Sequence, residues 1–235
     1  MLKGYARKGK AVGRKILFCW LAALIFSGGA LPGAWAASPE EVMAQVQRVY
    51  DQAGAFKVYF RQESRLKAAA NQTDTAEGWM YFMKPCRMRW QYEAPPDQKK
   101  EIVADGRQVW MYMPQDNLVM VYKMDQVLRS DLVMRFFSGM GQFQKDFQVA
   151  FNQPPEPGAA YVVDLFPKEP QAELKRLTLT INPRTYLVEK LEFANALGEE
   201  TRFTFSRAAL DVKLAPSFFS FTPPAGVQVV RESPG

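Results

Sequence analysis

Residues 77–112 read EGWMYFMKPCRMRWQYEAPPDQKKEIVADGRQVWMY. Within them Met88, Trp90 and Tyr92 alternate with Arg87, Arg89 and Gln91. A side-chain period of two marks a strand with one apolar face. Asp105-Gly106 makes a turn, and a second aromatic run over residues 109–113 follows it. The pattern predicts strands over residues 78–84, 87–92, 101–104, 108–113 and 118–123, joined by short turns into an antiparallel meander. The quoted block holds no histidine, one cysteine and many large, flexible apolar side chains. That composition suits contact with something apolar better than it suits chemistry.

Upstream, Ser38-Pro39-Glu40-Glu41 has the form of a helix start. Ser38 caps, Pro39 suits the first helical position, and Glu41 completes a capping box. Val42, Val46, Val49 and Tyr50 fall on one helical face, and Gly54 ends the element. The period then switches to two, with Phe56, Val58 and Phe60 alternating with Lys57, Tyr59 and Arg61. Residues 67–74 read as a polar loop. Downstream, Leu128, Leu132 and Phe136 recur every four residues, with Val133 and Phe137 beside them. This predicts a short amphipathic helix over residues 126–137, stopped by Gly139 and Gly141. Strands resume over residues 143–151, 160–166, 174–181, 187–193 and 201–205. A tail follows with Phe218, Phe219 and Phe221, then Pro223-Pro224-Ala225-Gly226 and a last apolar stretch at 227–230. The expected fold class is therefore mostly β with α (α+β). It is an incomplete antiparallel β-barrel of about ten to eleven strands, lidded by the N-terminal helix and the short mid-chain helix.

The chain opens on Lys3, Arg7, Lys8, Lys10, Arg14 and Lys15, then an apolar run over residues 16–26, then Ala34-Trp35-Ala36. This is the form of a cleaved export signal over residues 1–36, leaving one domain over residues 37–235. The apolar run is shorter than a membrane span of about 20 residues. The leader holds six of the 30 basic residues and no acid, so the remainder carries 24 bases against 24 acids. The basic isoelectric point of the whole chain thus gives no signal for nucleic acid. Cys86 is the one cysteine past the leader, which excludes an intramolecular disulfide. It reads as a small buried hydrophobe at an alternate position of a strand. Histidine is absent, which removes the commonest general base and metal ligand. No P-loop, dinucleotide fingerprint, paired CxxC or GxSxG occurs, so no catalytic residue, metal or cofactor is expected.

The crowd of Trp79, Met80, Met83, Met88, Trp90, Tyr92, Trp110, Met111, Tyr112 and Met113 has two readings. One is an ordinary core between sheet and helices. The other is a cavity for an apolar ligand. Periodicity does not separate them. Lys84 precedes Pro85 at the end of a strand, where its amine can reach carbonyls of a covering helix. Arg87 and Arg89 are expected to face solvent.

The chain resembles the periplasmic outer-membrane lipoprotein carriers, the LolA family. The resemblance rests on Phe60-Arg61-Gln62, Gly78, Lys84-Pro85, Arg89-Trp90, Pro95, Val103-Ala104-Asp105-Gly106, Val109-Trp110 and Tyr112. It ends on Phe219-Ser220-Phe221-Thr222-Pro223-Pro224-Ala225-Gly226-Val227. It implies a half-barrel whose helices lid an apolar cavity and a periplasmic carrier, not an enzyme; the neutral surface of mixed charges points to a monomer. It implies acylated lipoproteins as cargo, an inner-membrane ABC transporter that releases them and an outer-membrane receptor that accepts them. The family often has arginine before the proline of the strand motif, bonded to the lid. Lys84 stands there in this chain, a point charge in place of a planar fork. The expected acyl-binding residues are Phe60, Met80, Phe82, Met88, Trp90, Tyr92, Ile102, Trp110 and Tyr112, with Leu128, Leu132 and Phe136 as the lid's cavity face.

Other readings stay open at this level. A receptor of the same fold would carry a lipid-attachment cysteine directly after its signal, where this chain has Ala37. A sensor on the same half-barrel would carry a further domain. A hydrolase lacks its histidine and nucleophile motif. A periplasmic carrier of another lipid or a glycolipid would have the same apolar lining.

Overall fold

The alternation of residues 77–112 becomes part of one continuous sheet in the computed structural model of the chain, which describes residues 37–65, 73–130, 143–169, 174–194 and 199–231. The expected export signal lies outside the described residues. Helix α1 (Pro39–Gln52) starts on a complete capping box: Ser38 Oγ accepts from Glu41 N at 3.1 Å, and Ser38 N donates to Glu41 Oε2 at 2.8 Å. Six antiparallel strands follow: β1 (Ala55–Arg65), β2 (Thr73–Met83), β3 (Arg87–Ala94), β4 (Lys100–Ala104), β5 (Gln108–Met113) and β6 (Leu118–Lys123). Two short helices, α2 (Met124–Ser130) and α3 (Phe143–Asp146), precede a second meander. It comprises β7 (Phe147–Phe151), β8 (Tyr161–Pro167), β9 (Arg176–Ile181), β10 (Val188–Ala194) and β11 (Glu200–Leu210). Strand β11 pairs with β1 and joins the two meanders. A tail leads to β12 (Gln228–Arg231), which adds parallel to β6.

The sheet order is β12-β6-β5-β4-β3-β2-β1-β11-β10-β9-β8-β7, twelve strands among the described residues. Its two end strands, β12 and β7, do not pair, so the sheet is open. Helix α1 packs against β7, and Tyr50 Oη accepts from Val188 N of β10 at 3.2 Å. Its last turn also receives Lys84 from the β2–β3 turn. In a flat sheet β2 and β7, six places apart, would be separated by about 29 Å, more than the ~21 Å length of a fourteen-residue helix. The sheet therefore curls around α1, as a strongly twisted sheet of this size does.

Register decides which face each side chain takes, because cross-strand partners share a face. Phe60, Met80, Met88, Trp90, Ile102, Leu177, Leu179 and Leu191 all lie on the inner face and form one buried cluster with Val42, Met43 and Val46 of α1. Val103, Val119 and Val121 point the other way, yet they too are buried. The tail covers them, with Phe219 fully buried. The outer face of β1 and β2 carries a second aromatic row, Tyr59, Trp79 and Tyr81, and toward β8 to β11 the outer face turns polar. There Arg202 joins Glu192 at 2.6 Å and Glu63 at 3.6 Å, and Asp164 accepts from Thr178 at 2.6 Å.

Several expectations shift. Strands β1, β2 and β11 run eleven residues each, beyond the apolar alternation, because ladder hydrogen bonds continue where both faces are solvated. Residues 143–146 form α3 rather than the start of a strand. The mid-chain helix begins at Met124, which is buried in the core. Of its expected cavity face, Leu132 and Phe136 lie outside the described residues, as does the Leu128 side chain. Cys86 is in the β2–β3 turn with φ 56°, half-buried rather than buried in a strand, and that burial pushes its thiol pKa up. Gly78 is required by close approach: a Cβ there would lie 1.8 Å from the Gln91 carbonyl oxygen.

Candidate functional site

The inner face of β1 to β6 is the site that the fold builds. Seven of the expected residues meet there: Phe60, Met80, Phe82, Met88, Trp90, Tyr92 and Ile102, none more than 8% exposed. The Phe60 ring lies 4.9 Å from Tyr92 and 5.9 Å from Phe203, and Phe82 stacks on Phe56 at 4.6 Å. Such ring pairs add to the area they bury.

Trp110 and Tyr112 are not with them. Met111 pairs with Ile102, so Met111 takes the inner face and its neighbours take the outer one. Trp110 and Tyr112 there pack on Phe221 of the tail, at 6.3 and 5.7 Å. The inner-face residues of this part are instead Met111, Met113, Leu118, Met120 and Tyr122, all half-buried. Sequence reasoning passed over Met120 and favoured the bulkier rings of β5. The missing signal was the parity of β5, which the pairing of Ile102 with Met111 supplies.

Lys84 sits at the edge of the site. Its Nζ donates to the backbone carbonyls of Tyr50 at 2.8 Å and Asp51 at 2.5 Å, and lies 3.7 Å from Asp51 Oδ1. These carbonyls belong to the last turn of α1, where helix geometry leaves them without intrahelical partners and the helix dipole favours a cation. Val42, Met43 and Val46 are at most 1% exposed. Burial at about 1.5–3 kcal/mol per side chain makes them the larger part of the hold on α1. The exposed ammonium of Lys84 adds about 1–2 kcal/mol. Apolar contact therefore seats the helix, and Lys84 fixes where its end lies.

At one end the inner face turns polar. Tyr92 Oη donates to Gln62 Oε1 at 3.1 Å, Gln62 Nε2 donates to Ser64 Oγ at 3.0 Å, and Ser64 Oγ lies 3.5 Å from Thr201 Oγ1. Burial pushes the Tyr92 hydroxyl pKa up. Lys100 Nζ stands over the Tyr92 ring, 4.2 Å from its centroid, and burial lowers its pKa. Among the described residues no three or more His, Cys, Asp or Glu side chains gather as a metal site would require.

Fold and site together define an open, curled sheet with an apolar inner face and a helix clamped across it. The chain belongs to the family described as outer membrane lipoprotein carrier protein LolA, whose family model matches residues 51–222. Among its relatives, the outer-membrane lipoprotein carrier protein of Nitrosospira multiformis is 32% identical over 158 residues, covering 67% of this chain and 73% of the relative. That of Cupriavidus pinatubonensis is 28% identical over 219 residues, covering 93% of this chain and 99% of the relative. The fold also matches the crystal structure of an uncharacterized conserved protein from Thermus thermophilus. That match has a TM-score of 0.53 at 12% identity, over 82% of this chain and 98% of that one.

Proposed function

We propose that the protein is a periplasmic carrier of acylated lipoproteins. It takes them from an inner-membrane ABC transporter, holds their acyl chains against the inner face beneath α1, and passes them to an outer-membrane receptor. The observation that carries this reading is the continuation of the apolar inner face past its filled part into half-buried Met111, Met113, Leu118 and Met120. Methionine adapts to chains of varied shape. The family assignment supports the same cargo.

The energetics suit loading and release. Each buried methylene is worth roughly 0.8 kcal/mol, so a ~14-carbon chain offers on the order of 10 kcal/mol. That is comparable to what α1 gains from its three buried side chains. A chain can therefore take the place of helix contacts at little net cost, and affinity depends on where α1 sits. No helix among the described residues is long and apolar enough to cross a membrane.

The test is native mass spectrometry, with organic extraction in parallel, on protein purified from the periplasm of its host. Co-purified triacylated peptides or lipoproteins are expected. A discrete lipid with no polypeptide attached would move the reading to another lipid or glycolipid. A clean unliganded mass would return the inner face to an ordinary core.

A further inference from the structure

Lys100 opens β4 and faces inward, because it pairs with Tyr92 and lies two residues before Ile102. Its ammonium carries three donors. Among the described residues it makes neither a hydrogen bond nor an ion pair, and its contact is the face of the Tyr92 ring. Behind it, Tyr92, Gln62 and Ser64 satisfy one another. They line the end of the inner face where the apolar lining of Phe60 and Trp90 stops. The inner face is thus amphipathic along the strands, an apolar floor ending in a polar rim with one cation whose donors are unspent.

We propose that Lys100 binds the carbonyl oxygens that link the acyl chains to the cargo, the ester and amide groups at the head of a triacylated cysteine. This rests on the carrier reading above and adds the polar half of its site. A chain laid on the apolar floor has its first polar atoms at the rim. An ammonium already shielded from water by an aromatic face donates to a carbonyl more strongly than a solvated one. Tyr92 positions the lysine, and Gln62 holds Tyr92. The site then distinguishes an acylated head from a bare hydrocarbon, which the apolar floor alone does not.

The test measures two ligands on the full protein by fluorescence titration. One is a synthetic tripalmitoyl-cysteinyl-serine peptide with an uncharged tail. The other is N-phenyl-1-naphthylamine, an uncharged dye with no carbonyl. Lys100→Met keeps the apolar stem and removes the donors. It is expected to weaken the lipopeptide about tenfold, the loss of one charge-assisted hydrogen bond, and to leave the dye unchanged. Lys100→Arg should restore the lipopeptide. Equal lipopeptide binding by wild type and Lys100→Met would overturn the proposal. Equal weakening of both ligands would also overturn it, since the lysine would then serve packing alone. Dipalmitoyl phosphatidic acid gives a third arm: a loss confined to it would make phosphate, not carbonyl, the partner. Failure of both ligands to bind the wild type would instead sink the carrier reading itself.

Discussion

Lys84 joins the β2–β3 turn to two carbonyls in the last turn of α1 with one side chain. An arginine there would grip with a planar fork; lysine grips with a point charge that can swing between acceptors. Lys84→Met keeps the aliphatic stem and removes the donors. Amide exchange in the last turn of α1 should then quicken about tenfold, and the urea unfolding free energy should fall by about 1–2 kcal/mol. Unchanged exchange would mean that Val42, Met43 and Val46 alone set the position of the helix. Lys84 was legible in the sequence through its place before Pro85. Carbonyls of a covering helix were the expected kind of partner; that they are those of Tyr50 and Asp51 was not legible, because these lie more than thirty residues upstream.

The tail is the element whose role the sequence hid best. Arg89 reads as a solvated outer residue of an alternating strand. In the fold its Nε donates to Glu101 Oε1 at 2.6 Å, its Nη1 donates to the Phe218 carbonyl at 2.6 Å, and its guanidinium lies over the Phe218 ring. A strand's own pattern shows which residues alternate, not what later covers them. The same limit explains Trp110 and Tyr112. Both faces of β5 are apolar, so only pairing with β4 and contact with Phe221 assign them outward. The capping box of α1 and the inner sets on β1 and β3 were readable, since Lys57 and Arg61, and Arg87, Arg89 and Gln91, mark the opposite face; on β2 both faces are apolar, and pairing of Met80 with Trp90 assigns them. Arg89→Met should take away the charged partner of the Glu101 carboxylate, leaving it the bond from Gln91 Nε2 at 3.1 Å, and loosen the tail. The expected signs are a stability loss of about 2–3 kcal/mol and early proteolytic cleavage near Phe218. A tail as resistant as that of the wild type would show that Phe219 and Phe221 hold it unaided.

At the scale of the whole molecule, pH stability follows from the phenols that the core buries. Burial pushes the Tyr50 hydroxyl pKa up from 10 to about 12, partly offset by the bond from Val188 N. The neutral phenol is the form the fold favours. Its contribution is complete below the unfolded value and is lost as pH rises from 10 to about 12. A rise of that size corresponds to about 2–3 kcal/mol. Urea midpoints should hold level between about pH 7 and 9 and drop between about 10 and 12, and Tyr50→Phe should lessen that drop, the buried Tyr92 hydroxyl, also pushed up, accounting for what is left. A drop of the same size in Tyr50→Phe would assign it to other groups.

Because β12 and β7 do not meet, the sheet has no fixed circumference. A closed barrel's radius is set by its strand number and shear. Here a few degrees of twist, shared over the eleven strand junctions, changes the girth without breaking one ladder hydrogen bond. The interior can widen or tighten around a load at low energetic cost.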